Sequence, residues 1–409
     1  MMKFKIGFTL LALCMLVVSA CSSSTNSDAK KEGGAEKLEI FSWWTGAGEE
    51  DGLKALIQLF EEKNKDIPIE NAAVAGGAGT NAKAVLTSRM QGDDPPATFQ
   101  VHGGAELNES WVAAGKMEPL DDLYEKEGWK DKFPESLIDL VSKDGKIYSV
   151  PVNIHRGNVL WYNKKVFEDQ GLEPPTTFDE FFKTADALKK KGITPLALGD
   201  KEPWAATHLF ESVLLGVLGA DDYQKLWAGD LKMDDAKVKE AADIFGRMLE
   251  YVNDDHSSRN WQDASQLVAK GYFVNDLDLK VNKDFGYVAT PGTEGSFMVI
   301  TDTFGLPKGV KQPENVKKFL SVLGSVEGQD AFNPLKGSIP ARVDADVSKY
   351  DEYGKSAMKA FKESKLAPSL AHGSAAEEGF VTKANQAVNI FVTQKDSSQF
   401  VSSLKDSMK

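Results

Sequence analysis

Cysteine is nearly absent: two in 409 residues, Cys14 and Cys21. A disulfide framework and a cysteine-ligated zinc site are therefore both excluded. Histidine is scarce too, with five residues at positions 102, 155, 208, 256 and 372, too scattered for a metal-ligand motif. Basic charge is outweighed, 48 Lys+Arg against 61 Asp+Glu for a formal net charge of −13. A nucleic-acid binder displaces phosphate counterions with basic surface, so nucleic acid is not an expected partner. No G-x-S-x-G elbow is present, which removes the commonest serine-hydrolase signature. Gly76-Gly77-Ala78-Gly79 is not followed by the Lys-Ser/Thr of a phosphate loop. Asp276-x-Asp278 and Asp344-x-Asp346 lack the Gly and Glu of a calcium loop. A glycosidase needs two carboxylates flanking one bond, and Asp302 alone is no dyad. No internal repeat suggests a solenoid or propeller. The expectation is a protein without enzyme activity, metal or cofactor.

What the chain does have is apolar bulk, 42% hydrophobic and 10% aromatic with 35 Gly and 16 Pro. At about 150 residues per domain this suggests two or three domains. One apolar run stands apart. Lys3 and Lys5 precede Ile6 to Val18, the form of a secretory signal over residues 1–20 rather than of a membrane span. It ends in Val18-Ser19-Ala20-Cys21, which resembles the lipobox of bacterial lipoproteins and implies a lipid on Cys21. Residues 21–36, rich in Ser, Gly and Lys, read as a flexible tether. The expected location is the extracytoplasmic face of the cell membrane.

Beyond the tether, Leu38 to Phe41 reads as a strand, and Leu53, Leu56, Ile57 and Phe60 recur at the spacing of one buried helix face. Ile67–Val74 and Phe99–Val101 give further strands, with a helix over Asn81–Gln91 between them. Repeated βα alternation predicts an α/β fold with a mostly parallel sheet and ligands at the carboxyl ends of its strands. A strand over 145–152 and another over 158–163 follow, and Thr177 and Glu180 have the capping-box spacing of a helix start. Helices are expected over 179–190, 208–218, 236–251 and 263–269. Strands over 285–288, 297–302 and 304–306 then lead to helices over 313–323, 328–332, 355–363 and 375–391.

Eight segments, FSWWTGAGEEDGLKAL (41–56), AAVAGGAGTNAKAVL (72–86), DPPATFQVHGG (94–104), GKIYSVPVNIHRGNVLWYN (145–163), PPTTFDEF (174–181), TDTFGLPKG (301–309), NPLKGSIPAR (333–342) and LAHGS (370–374), resemble in this order the extracellular solute-binding proteins of ABC sugar importers. The likeness is strongest to the branch that takes glucose or related hexoses. It implies a two-lobe periplasmic-binding-protein fold of type II with the ligand between the lobes. Lobe 1 would hold 38–152 plus 297–346, lobe 2 would hold 158–292 plus 347–409, and hinges would fall near 152–158 and 292–297. The implied partners are a monosaccharide, the membrane subunits of the permease, and the membrane itself through Cys21, with the receptor a monomer.

A pyranose presents an apolar C–H face and a ring of hydroxyls, so its site wants flat aromatic surface and polar partners. Trp43 and Trp44 directly follow the first strand, where a parallel sheet places ligands. Neighbours on a strand point to opposite faces, so at least one is expected at the site. Gln100 and His102 alternate on one face of the third strand and offer donors and acceptors to hydroxyls. The resemblance adds Asp302, Lys336 and His372, and more weakly Lys83, while His155 and Arg156 are read as hinge support and His208 and His256 as structural. One departure accompanies it. Between Val268–Gly271 and Tyr272–Asn275 the resembling proteins carry a further strand and a Gly-Asp-Trp-like turn that walls the cleft, and this chain lacks it. The alternatives are therefore a receptor that has lost its ligand, or an extracytoplasmic carbohydrate-active enzyme.

Overall fold

The computed structural model describes residues 37–269 and 280–408. The signal over 1–20, Cys21 with its tether to residue 36, and the shortened segment after Gly271 lie outside them.

Leu38–Ser42 (β1) runs through a Trp-Trp loop into Ala47–Lys63 (α1), and Ile69–Ala73 (β2), Thr80–Gln91 (α2) and Thr98–His102 (β3) follow. The predicted helix face is real: Leu53, Leu56 and Phe60 are wholly buried. Met117–Glu118 (β4), Asp121–Lys126 (α3), Glu135–Leu140 (α4), Ser142–Lys143 (β5), Lys146–Ile147 (β6), Ser149–Pro151 (β7) and Asn153–Arg156 (β8) complete the first passage. A mainly helical block comes next, with Val159–Asn163 (β9), Lys164–Gln170 (α5), Phe178–Lys190 (α6), Trp204–Ala228 (α7), Ala236–Met248 (α8), Trp261–Ala269 (α9) and Phe285–Ala289 (β10). The capping box at the start of α6 is present, with the Thr177 side chain accepting from the Glu180 amide at 3.2 Å and Glu180 reaching back to the Thr177 amide. Such a cap contributes about 1 kcal/mol. The chain returns through Ser296–Ile300 (β11), Asp302–Pro307 (β12), Pro313–Leu323 (α10), Val326–Lys336 (α11) and Ile339–Pro340 (β13), and ends in Glu352–Glu363 (α12), Lys365–Pro368 (β14), Glu378–Gln394 (α13) and Ser397–Ser407 (α14).

The main sheet has the order β2-β1-β3-β12-β4, with β7 also on β12. The expectation of a mostly parallel sheet is corrected here. Only β1 pairs in parallel, with β2 and β3, whereas β12 is antiparallel to β3, β4 and β7. The cause is the route of the chain. β12 is not the end of a βα crossover but enters straight from β11 with only Thr301 between, and antiparallel pairing needs no crossover helix. A second sheet, β13-β8-β11-β14, is likewise mixed.

Two hydrophobic cores result. The first gathers Trp44, Phe60, Phe99, Phe304, Phe319 and Phe332 between the main sheet and its helices, and Tyr353, Met358 and Phe361 of α12 pack on it. The second lies among α6, α7, α8, α13 and α14 around Phe210, Phe245, Phe391 and Phe400. β11 serves both, because alternate side chains leave a strand on opposite faces: Phe297 and Val299 join the first core and Met298 the second.

Candidate functional site

Gln100 and His102 share a face of β3, as their spacing predicts, and the antiparallel register sets Asp302 directly opposite His102. Gln100 is spanned at both ends, its Nε2 donating to Asp302 Oδ1 at 2.7 Å and its Oε1 accepting from the Trp43 amide at 3.1 Å. Asn153 on β8 closes the other side, donating from Nδ2 to Asp302 Oδ2 at 2.7 Å and accepting the Asp302 amide at 2.8 Å. His102 Nε2 stands 3.7 Å from Asp302 Oδ1 and His155 Nε2 4.0 Å from Oδ2. Burial alone would raise the Asp302 pKa. Lys336, His102, His155 and the Asn153 bond outweigh it and hold the carboxyl below its usual range. Burial, aided by the nearby Lys336 charge, pushes the His155 pKa down to about 3.

A second carboxylate holds the other edge of His102. Glu106 Oε2 lies 2.8 Å from His102 Nδ1 and 2.8 Å from Lys83 Nζ. Lys83 also reaches Glu378 Oε2 at 3.0 Å, in the first turn of α13. Burial disfavours the Glu106 charge, but Lys83 and His102 outweigh it and keep the carboxyl low. The backbone here meets the turn that carries His372, with the Ala105 amide on Ser374 O at 3.1 Å and the Glu106 amide on Gly373 O at 2.8 Å. Gly104 permits this approach, since it has φ +110° and a Cβ would lie 2.5 Å from Ser374 O.

His372 stands edge-on to His102 with ring centroids 5.5 Å apart, and meets Trp204 at 5.6 Å and His208 at 5.3 Å. Its turn hangs from Glu211, a fully buried carboxylate on α7. Glu211 Oε2 accepts the amides of Leu370 and Ala371, the latter at 3.1 Å, while Oε1 meets Ser369 Oγ at 2.8 Å and His208 Nδ1 at 2.7 Å. Burial pushes the His372 pKa well below the ordinary histidine value, and the neighbouring His208, His102 and Lys83 charges push the same way.

The two tryptophans part company. Trp43 lies beside the polar cluster, its ring 5.0 Å from His102 and packed on Gly79, where a Cβ would come within 2.9 Å of the indole. Trp44 is only 1% exposed and packs on Phe332 at 4.7 Å and Phe304 at 5.6 Å. The expectation of a site role for Trp44 is therefore corrected: its indole is packed in the first core against Phe304 and Phe332. Lys336 accompanies it, with Nζ 5.5 Å from the Trp44 ring and 2.8 Å from Glu49 Oε1. Trp43, Lys83, Gln100, His102, Asp302 and His372 thus form one connected cluster, while Lys336 acts on it through its charge.

Sequence reasoning missed Trp204, Glu106, Glu378, Asn153 and Glu211. His208, read as structural, braces the Glu211 carboxylate that holds the His372 turn. His208, Glu211 and His372 bring potential metal-ligand atoms within 4.8 Å of one another. Each of these side chains already bonds to protein, His208 Nδ1 being on Glu211 Oε1 at 2.7 Å, His208 Nε2 on Gly157 O at 3.1 Å and His372 Nδ1 on Ser369 Oγ at 2.9 Å. The apolar stretch around Glu211, from Leu209 to Leu218, is the signal that marks its carboxylate as unusual. Among the described residues no helix is long and apolar enough to cross a membrane.

The chain is 38% identical over 413 aligned residues to an ABC transporter extracellular-binding protein of Pyrococcus horikoshii, covering 96% of this chain and 93% of the relative. A relative from Rhizobium meliloti, named a probable sugar-binding periplasmic protein, is 34% identical over 366 residues, 83% of this chain and 86% of its own. The fold matches that of the bacterial solute receptor AcbH, described as having an exclusive preference for β-D-galactopyranose. That match has a TM-score of 0.80 at 21% identity and covers 91% of this chain and 97% of the other. With two cores joined through shared strands, this is the two-lobe architecture of solute receptors. The model of the bacterial extracellular solute-binding proteins matches residues 46–330, and the chain belongs to that family.

Proposed function

We propose that this protein is the sugar receptor of an ABC importer, held at the outer face of the membrane by lipid on Cys21, which captures glucose or a related monosaccharide by lobe closure and delivers it to the permease. The observation that carries the reading is the pairing of the Trp43 indole with the polar group Gln100, His102 and Asp302. An indole face suits the C–H side of a pyranose, and a carboxylate accepts strong charge-assisted bonds from hydroxyls. Lys83, Lys336 and His372 are the further proposed sugar contacts. Trp204, half-buried against His372, is a further aromatic surface beside the cluster. The lobes are proposed as 38–152 plus 297–346 and 158–292 plus 347–409, with α12 packing on the first core rather than the second and β8 and β11 supplying the crossings. The protein acts as a monomer and leaves its sugar chemically unchanged.

Calorimetric titration against monosaccharides and disaccharides tests this. Micromolar or tighter binding of glucose or a near epimer is expected, with the sugar recovered intact. Absence of binding across the panel would favour the reading in which the shortened segment after Gly271 has cost the protein its ligand. A chemically altered sugar would favour an enzyme.

A further inference from the structure

Hydrogen-bond accounting around Ser369 determines which nitrogen of His372 carries its proton. A hydroxyl donates once and accepts at most twice. Ser369 Oγ has three neighbours: Glu211 Oε1 at 2.8 Å, His372 Nδ1 at 2.9 Å and the His372 backbone amide at 3.3 Å. The amide can only donate, so Oγ accepts there. Glu211 already receives the amides of Leu370 and Ala371 and faces His208 Nδ1. With so many donors it is an ionised carboxylate, an acceptor only, so the single Ser369 proton goes to it. Ser369 then has nothing left to give His372, and Nδ1 must be the donor.

His208 fits the same scheme. Its Nδ1 faces the Glu211 carboxylate and its Nε2 faces the Gly157 carbonyl, so it adds a further neighbour to Glu211 Oε1 beside Ser369. Its ring stands 5.3 Å, centroid to centroid, from that of His372. Burial and the surrounding cations hold that residue neutral, and among the described residues no hydrogen bond to its Nε2 is found.

We propose that Glu211, acting through Ser369, is a positioning residue that fixes His372 as the Nδ1-protonated tautomer, so that Nε2 meets the ligand solely as an acceptor and selects a hydroxyl that donates to it. This rests on the reading of His372 as a sugar contact. Asp302 is also an acceptor, so the site demands donated protons from two places on the ligand. An ether, a methoxy or a fluoro group at the position facing Nε2 would be rejected.

Two measurements on the full protein test the proposal separately. In the first, long-range proton–nitrogen NMR of histidine-labelled, sugar-free protein reads the tautomer, with His372→Gln assigning the signals. A protonated Nδ1 and bare Nε2 are expected, and a proton on Nε2 overturns the assignment. Ser369→Ala is expected to lose the fixed tautomer and Ser369→Thr to keep it. Glu211→Gln, if it folds, should weaken the preference, and retention of the fixed tautomer in both Ser369→Ala and Glu211→Gln overturns the relay. In the second, deoxy and fluoro analogues of the bound sugar are titrated position by position. At two positions, one facing Asp302 and one facing His372, both should lose about tenfold, the worth of one hydrogen bond, because fluorine cannot donate. The loss at one of the two should disappear in His372→Gln, and losses that His372→Gln leaves unchanged at both positions overturn the selection. A fluoro analogue that binds like the parent sugar at every position overturns the selection. If no sugar binds, the receptor reading and the selection fall together, while the NMR result still decides the tautomer.

Discussion

Asp302 and His372 stand at opposite ends of one polar cluster and are held by different means. Asp302 lies on a strand whose register with β3 fixes its place, and its neighbours are Gln100 on the paired β3 and Asn153 on β8 of the second sheet. His372 lies on a turn, and the turn keeps its shape because a buried carboxylate on α7 gathers its amides and its serine. The strand side is over-determined, since removing one bond leaves the ladder intact. The turn side has backbone bonds to Ala105 and Glu106 as well, but its side-chain anchoring rests on one residue.

The sharpest way to break that contrast is to remove each anchor. Glu211→Ala leaves the Leu370 and Ala371 amides, Ser369 and His208 without their buried partner, and should cost about 3–5 kcal/mol in urea unfolding, since several buried donors are left unsatisfied at once. Asp302→Asn keeps shape and most bonds and should cost less than half as much. Equal losses would show that the sheet does not brace its site as described. The next comparison sets Trp44 against Trp43. Trp44→Ala opens a cavity between Phe304 and Phe332 and should cost about 3–5 kcal/mol. Trp43→Ala should cost less stability while reducing sugar affinity about tenfold, read by calorimetry.

The smallest effect is in pH. His155 has a folded pKa near 3, below the unfolded value of about 6.5, so the unfolded chain binds the proton first and stability falls as pH drops from about 6.5 towards 3. His372 is shifted in the same direction. The lowered carboxyls Asp302 and Glu106 act only further down, since their contribution is intact above about pH 4 and is lost as pH falls through their folded values. His155→Gln should therefore flatten the decline in the urea midpoint between about pH 6 and 4 and leave the steeper acid limb unchanged.

Much of the strand side was legible in the sequence. Period-two alternation put Gln100 and His102 on one face, and the helix period and capping box located α1 and α6. Strand direction was not legible, because whether β12 runs with or against β3 depends on where the chain last left the sheet. Both Trp43 and Trp44 are buried, and only residues distant in sequence, Phe304 and Phe332, decide that Trp44 is the one packed among aromatic core side chains while Trp43 lies beside His102. Glu211 was harder still. One acid on a helix looks like any solvated acid until the turn 369–372, far along the chain, supplies its donors. Its one local sign is the apolar company from Leu209 to Leu218.

Strand β11 carries a consequence for how this chain tolerates change. Met298 and Val299 are consecutive, yet each serves a different core. Inserting or deleting a single residue before Phe297 would reverse every side chain of the strand at once, presenting to each core what the other requires. The same change in an exposed connection, such as Gly171–Leu172, alters neither core. Length variation among the descendants of such a gene should therefore collect in its loops and be purged from this five-residue strand, which acts as a reading frame for the fold.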